Sequence, residues 1–363
     1  MGGHVVVPTR INGSKELDLI LDTGMSAPIV MLNHRELQEE LALRGGDSAL
    51  VGGAGGEEPR SARMFRGVRL SLGSLDLENQ TLVVMGDERE HSKWTQAGVL
   101  GKSIFDRFAV EIDFDRSSLT VHETSASDTV EAEGLPLTFK LGIPVVDALV
   151  ETEGGGAIPA RLVVDLGARQ TLTLHPDAGK GIQVPDRAIS TIIGRGIQGD
   201  VRGKIGRIRA LRLGAHRIEN VVAAFTERET GVTCGPYGLE AEGNLGVEIL
   251  RRFRVVIDYP HARLVLTPGS RFGMPFEYNM AGLSLEQESD GSYLVREVLP
   301  ESPGAEVGIR KADRIVSIDG REASEIPHGD GMDLFRQEGR SVRLGLERDR
   351  ERFERAVTLR RLI

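Results

Sequence analysis

Short apolar runs, alternating or continuous and separated by glycine-rich turns, dominate the first two thirds of the chain. Residues 5–8, 17–21 and 28–32, the alternating Val68, Leu70 and Leu72, the series Phe108, Val110 and Ile112, and residues 119–121 all read as strands. Asn12-Gly13 marks a hairpin between the first two. Helical spacing is confined to residues 34–44, through Leu37, Leu41 and Leu43, and to a short helix expected within 99–105. Residues 124–134 are polar, acidic and without periodicity, and read as a linker.

The pattern then repeats. Leu17-Asp18-Leu19-Ile20-Leu21-Asp22-Thr23-Gly24 delivers a carboxylate from an apolar strand onto a tight turn, and Arg161-Leu162-Val163-Val164-Asp165-Leu166-Gly167-Ala168 does so again. Leu72-Gly73 with Leu77-Glu78-Asn79 is answered by Leu213-Gly214 with Ile218-Glu219-Asn220. Leu100-Gly101, Ile104, Phe108, Val110, Ile112-Asp113, Leu119 and Val121 align without a gap on Leu245-Gly246, Ile249, Phe253, Val255, Ile257-Asp258, Leu264 and Leu266. Two β-rich lobes of similar design are the economical reading. An acid at the end of a buried strand costs free energy unless it has a partner. Finding the arrangement twice suggests that Asp22 and Asp165 are each other's partners.

From residue 272 the texture changes. Strands at 282–285 and 293–298, a short helix at 303–309, a strand within 313–320, a helix at 330–336 and closing strands through Val342, Leu344, Leu346, Val357 and Leu359 describe an α+β unit. A chain of 363 residues exceeds a single comfortable core, and the expected units are 1–124, 125–268 and 272–363.

Composition narrows the function. The net charge of −9, with no basic stripe interleaved with aromatics, argues against nucleic acid as a partner. No apolar run approaches the ~18 residues of a transmembrane segment. The single cysteine, Cys234, excludes an intramolecular disulfide and reads as a core or turn residue. The start Met1-Gly2-Gly3-His4 has no signal-peptide core, which leaves the cell envelope or periplasm open if a signal or anchor has been removed, and the cytoplasm otherwise. The eight histidines show no metal-ligand spacing, so no metal is implied, and His175 reads as a surface residue. Gly194-Arg195-Gly196-Ile197-Gln198-Gly199 matches a dinucleotide pattern, but glycines rather than a helix follow it, so a flexible hairpin is expected. Asp113 and Asp258 fall at turns, which account for them.

The Asp-Thr-Gly turn, with Val99-Leu100-Gly101 downstream, resembles a lobe of the retropepsin-type aspartic proteases. Two copies resemble the single-chain, pseudo-two-fold arrangement of the pepsin-like enzymes. The tail resembles a PDZ domain of bacterial type, with Gly282-Leu283-Ser284-Leu285 where that family has its carboxylate-binding loop. The order lobe, lobe, PDZ resembles bacterial retropepsin-like proteases. The resemblance implies a mainly β fold of two barrel-like lobes followed by an α+β PDZ domain, and an aspartic endopeptidase acting on a protein or peptide substrate. Asp22 and Asp165 would be the catalytic pair, Thr23, Gly24, Leu166 and Gly167 would shape the turns, and Leu100, Gly101, Leu245 and Gly246 would support them. Flap hairpins would lie near 52–66 and 194–206. The PDZ domain would hold a peptide C-terminus, and no cofactor is implied.

The chemistry fits those residue types. Two carboxylates a few ångströms apart share one proton and titrate as a unit, which supplies a base and an acid together. Leu166 stands where the family usually has a second hydroxyl, so only half of the cross-lobe hydrogen bonding is expected. Met25 and Ala168 likewise replace hydroxyls, which predicts raised carboxyl pKa values and activity towards weakly acidic or neutral pH. Two other readings stay open: a catalytically silent peptide-binding scaffold working through its PDZ domain, and a homodimeric protease pairing Asp22 from each chain.

Overall fold

The computed structural model describes the chain except residues 1–2, 54–58, 87–95, 125–133, 155, 177–180, 197–198, 228–240, 289 and 327–331. The linker within 124–134, most of the glycine-rich 52–56 and Cys234 therefore lie outside the described residues.

In the first lobe, β1 (Val6–Ile11), β2 (Leu17–Leu21), β3 (Ile29–Leu32), one helical turn α1 (Leu37–Glu40), β4 (Asp47–Val51), β5 (Arg60–Leu72), β6 (Leu75–Met85), β7 (Gly98–Leu100), β8 (Phe108–Asp113) and β9 (Ser118–Glu123) follow in order. The strands pair as β1-β2-β7-β3-β6-β5, and β5 returns to β1 to close a six-stranded barrel with β4 outside β5. Alternation explains the barrel wall: β1 buries Val7, Thr9 and Ile11 and exposes the residues between them. The strict two-residue period turns every second side chain inward.

The second lobe runs β10 (Leu135–Lys140), β11 (Ile143–Glu151), β12 (Ala157–Val164), β13 (Leu172–Leu174), β14 (Ile189–Gly196), β15 (Gly199–Leu213), β16 (His216–Thr226), β17 (Gly243–Leu245), α2 (Val247–Leu250), β18 (Phe253–Asp258) and β19 (Arg263–Pro268). Its ring, β11-β12-β17-β13-β16-β15 closed by β15 on β11, repeats the first lobe strand for strand. The repeat extends to backbone detail, because Asn79 and Asn220 both adopt positive φ, at 57° and 52°.

The lobes join through the sheet β10-β19-β18-β8-β9. There β8 and β18 run antiparallel with Glu111 opposite Val256. The gap-free alignment of Leu100 on Leu245 also carries 111 onto 256, so the pseudo-two-fold axis passes through this pair. One apolar core runs through both lobes, and the third unit has its own.

That unit comprises β20 (Leu283–Gln287), β21 (Tyr293–Val298), α3 (Pro303–Glu306), β22 (Arg314–Ile318), β23 (Arg321–Glu322), β24 (Ser341–Arg348) and β25 (Glu351–Thr358). The sheet order is β20-β21-β22-β24-β25, which leaves β20 at an edge.

The expected helix at 303–309 gives only the four-residue α3, and three others are shorter than their spacing suggests or do not form. In 34–44 only α1 forms, since Ala42, Gly45 and Gly46 take positive φ and end it. Residues 99–105 leave strand β7 through a turn rather than a helix, while their repeat in the second lobe forms α2. Of 330–336, the described part ends in a 3-10 turn, Leu334–Arg336, and residues 330–331 lie outside the described residues.

The third unit is fastened to the second lobe by arginines, of which Arg252 is buried. The Arg252 guanidinium lies over the Phe276 ring, 3.4 Å from its centroid, and donates to the carbonyls of Arg271 (3.1 Å), Met274 and Pro275 (3.2 Å). Arg207 donates to the Phe276 carbonyl at 3.0 Å. Further along, Glu297 on β21 accepts hydrogen bonds from Thr191 Oγ1 (2.7 Å), the Ile192 N–H (2.9 Å) and Arg202 (2.7 Å). One carboxylate thus grips both strands of the β14–β15 hairpin.

Candidate active site

Each candidate acid sits one residue past a strand that lies between its lobe's own elements. Strand β2 pairs in parallel with β7, Leu21 against Leu100, and β12 pairs in parallel with β17, Val164 against Leu245. The next N–H in each lobe continues the ladder: Asp22 donates to the Leu100 carbonyl and Asp165 to the Leu245 carbonyl, both at 3.0 Å. Leu100 and Leu245 are fully buried beneath the two turns. Glycine follows each because the neighbouring chain is too close for a side chain: a Cβ on Gly101 would lie 2.8 Å from the Ile29 carbonyl oxygen, and one on Gly246 would run into that of Gln170.

The two turns then meet. A Cβ on Gly24 would stand 2.8 Å from Asp165 Oδ1, and one on Gly167 would stand 2.5 Å from the Asp22 carboxyl carbon. Each carboxyl therefore rests on the other lobe's glycine, and the two carboxyls hydrogen-bond to each other within a single chain. Glycine at these positions is a matter of space, since any side chain would displace the opposing acid.

Thr23 closes the junction. Its Oγ1 donates to the Val164 carbonyl at 2.6 Å and accepts the Leu166 N–H at 3.0 Å, both across the lobe interface. Leu166, fully buried, joins the common apolar core instead of returning those bonds. One lobe grips and the other packs.

Electrostatics make the pair unequal. Asp22 accepts the N–H groups of Gly24 (2.7 Å) and Met25, while burial, reinforced by the Asp165 charge, pushes its carboxyl up to about 7. Burial also raises Asp165, against the pull of N–H donors from Gly167 (2.9 Å) and Ala168 (3.1 Å) and of the Asn244 amide (2.8 Å). A pair in which one member stays protonated near neutrality can act as acid and base together.

Other residues fall differently. Asp113 and Asp258 cap turns, accepting the Asp115 and His261 N–H groups at 3.0 and 3.1 Å. His175 is not on the surface: it is buried, its Nδ1 lies 2.7 Å from Thr226 Oγ1, and burial lowers it to about 4. The expected flap segments form the hairpins β4–β5 and β14–β15, and residues 54–58 and 197–198 lie outside the described residues. Gln170, five residues beyond Asp165, donates to the Ile193 carbonyl of the second hairpin at 2.8 Å.

In the third unit, Gly282 takes φ +72° just before β20, and Leu283, Ser284 and Leu285 form the start of that edge strand. Asn279, which sequence reasoning missed, shapes the loop by accepting the Ala281 and Gly282 N–H groups (2.9 and 3.2 Å) and donating to the Leu283 carbonyl (3.0 Å). Asn244 was missed as well; the signal available was its alignment on the apolar Val99. Among the described residues there is no cluster of three or more His, Cys, Asp or Glu side chains able to hold a metal ion. No helix among them is long and apolar enough to cross a membrane.

Two closed barrels, each ending a strand with an acid against the other's turn, define the two-lobed, retropepsin-like class of β protein. Residues 7–104 and 150–249 each match the aspartyl protease family, together more than half of the chain, and the chain belongs to that family. Residues 274–347 match the PDZ domain. No curated protein matches the chain.

Proposed function

We propose that the chain is an aspartic endopeptidase with Asp22 and Asp165 as its catalytic pair, built from units 1–124, 125–268 and 272–363. The observation that carries this reading is the contact of each carboxyl with the opposite turn glycine within one chain. That placement calls for no second copy of Asp22. The ionised carboxylate takes a proton from water as the water oxygen bonds to the peptide carbonyl carbon. The protonated carboxyl donates to the carbonyl oxygen, which becomes a hydroxyl of the tetrahedral intermediate. A proton then passes to the leaving nitrogen, the C–N bond breaks, and a carboxylate and an amine result. Thr23, Gly24, Leu166 and Gly167 hold the acids at this separation, and Leu100, Gly101, Leu245 and Gly246 support them from below. The hairpins β4–β5 and β14–β15 cover the bound peptide and exclude bulk water.

In the PDZ domain, the edge strand β20 and its entry loop, Gly282, Leu283, Ser284 and Leu285, would receive a peptide C-terminus as an added strand. The second reading is a silent peptide-binding scaffold, favoured by Leu166 in place of a second gripping hydroxyl. Digestion of a diverse peptide library between pH 4 and 8, with new termini mapped by mass spectrometry, separates the two. Internal cleavage that disappears in both Asp22→Asn and Asp165→Asn is the expected result. A library left intact by the folded wild-type protein would leave the scaffold.

A further inference from the structure

The strands beneath the two acids, Gly98-Val99-Leu100 and Gly243-Asn244-Leu245, share the same pairing, yet their middle residues differ in kind. Val99 precedes Leu100 in β7 and packs against Ile20 and Met31 in a small apolar cluster. Asn244 precedes Leu245 in β17 and points its amide at the acid of its own lobe, Nδ2 to Asp165 Oδ2 at 2.8 Å. Its Oδ1 is buried and has no hydrogen-bond partner among the described residues. A buried unpaired carbonyl is unfavourable, and a valine at this position would carry no such cost.

We propose that Asn244 is a positioning residue that breaks the symmetry of the pair, holding Asp165 as the ionised, water-activating member and leaving the shared proton on Asp22. The proposal deepens the endopeptidase reading and rests on it for its kinetic consequence. Besides the bond between the two carboxyls, Asp165 accepts Gly167, Ala168 and Asn244 N–H groups, whereas Asp22, among the described residues, accepts the two from its own turn, Gly24 and Met25. N–H donors favour a carboxylate over a carboxyl, so the better-supplied acid ionises first. The amide orientation agrees, since the opposite rotation would set Oδ1 against a negatively charged oxygen.

Other charged and titratable groups face the pair from the elements packed around it. The Tyr259 phenol feels both aspartates and lies beside the Lys102–Asp106 pair. On the β1 side, His4 Nε2 lies 3.0 Å from the Gly167 carbonyl oxygen. Arg169, on the Asp165 turn, is a nearby cation whose charge burial disfavours. Glu242, before Gly243, is paired with Arg161 near His175.

The test uses Asn244→Leu, similar in size without the donor, and Asn244→Asp, the same shape with a charge. Carboxyl-carbon NMR of the aspartate-labelled full chain follows both acids whether or not peptides are cleaved, with Asp22→Asn and Asp165→Asn assigning the signals. In the wild type Asp165 should titrate below Asp22. In Asn244→Leu its titration should rise by about one pH unit, carrying the acid limb of the pH–rate profile up with it, and Asn244→Asp should raise it further. An unchanged Asp165 titration in folded Asn244→Leu, or Asp22 titrating first in the wild type, overturns the proposal. Absence of cleavage with the expected titrations would count against the endopeptidase reading alone.

Discussion

Thr23 shows how much can rest on one hydroxyl. In a symmetric pair of lobes the cross-lobe bonds would be shared by two such residues, but here Thr23 supplies both and Leu166 supplies apolar contact. Thr23→Val keeps the volume and strands the Val164 carbonyl and the Leu166 N–H in a buried interface. Each unsatisfied group costs ~1–3 kcal/mol, so the variant, with two of them, should lose about 2–6 kcal/mol in urea unfolding. A loss below ~1 kcal/mol would mean that packing at Leu166 holds the lobes. The same neighbourhood sets the pH range. Asp22, ordinarily near 3.8, stays protonated until about 7, because burial and the facing Asp165 disfavour its charge. The acid role therefore persists into neutral solution and is lost as pH rises through that value. On the acid side, the raised Asp165 pKa brings loss of the base at a higher pH than an ordinary aspartate would.

At the scale of elements, the β14–β15 hairpin is held from two directions: by Gln170 beside the dyad and by Glu297 from the PDZ sheet. Glu297→Ala removes one acceptor from three donors on both strands. The Ile192 amide should then exchange with solvent at least about tenfold faster, while amides in β12 and β17 keep their rates. Unchanged exchange at Ile192 would show that strand pairing alone fixes the hairpin. Much of this architecture was legible in the chain because apolar alternation and turn glycines are local signals. The gap-free match of Leu100 through Val121 with Leu245 through Leu266 carried the inter-lobe strands, and Asp22 and Asp165 stood out as acids ending apolar runs. What was not legible depends on distant partners. His175 is buried beside the distant Thr226 and Glu242, and the grip on the hairpin comes from a glutamate some hundred residues away, none of which has a periodic signature. Asn244 has no local signature for a related reason: its role comes from Asp165, 79 residues away, and from the tertiary pairing that makes Gly243–Leu245 a strand. Helix α1 was overread, since spacing alone does not reveal where positive φ interrupts a turn.

Across the whole molecule, a pseudo-two-fold fold carries asymmetric parts. The axis through Glu111 and Val256 relates two barrels, yet Thr23 faces Leu166, Val99 matches Asn244, and the PDZ domain grips the hairpin of the second lobe. Two lobes in one chain allow such division, because each position of the pair can change alone. The proposed endopeptidase activity requires Asp22 and Asp165 of the same chain to act as one proton-sharing pair. The direct measurement is the initial rate of peptide cleavage from pH 3 to 9 for wild type, Asp22→Asn, Asp165→Asn and an equimolar mixture of the two variants. The expected result is a bell whose alkaline limb falls near pH 7, losses on the order of 10³-fold in each variant, and no recovery on mixing. Full activity in Asp165→Asn, or activity restored by mixing, would contradict it.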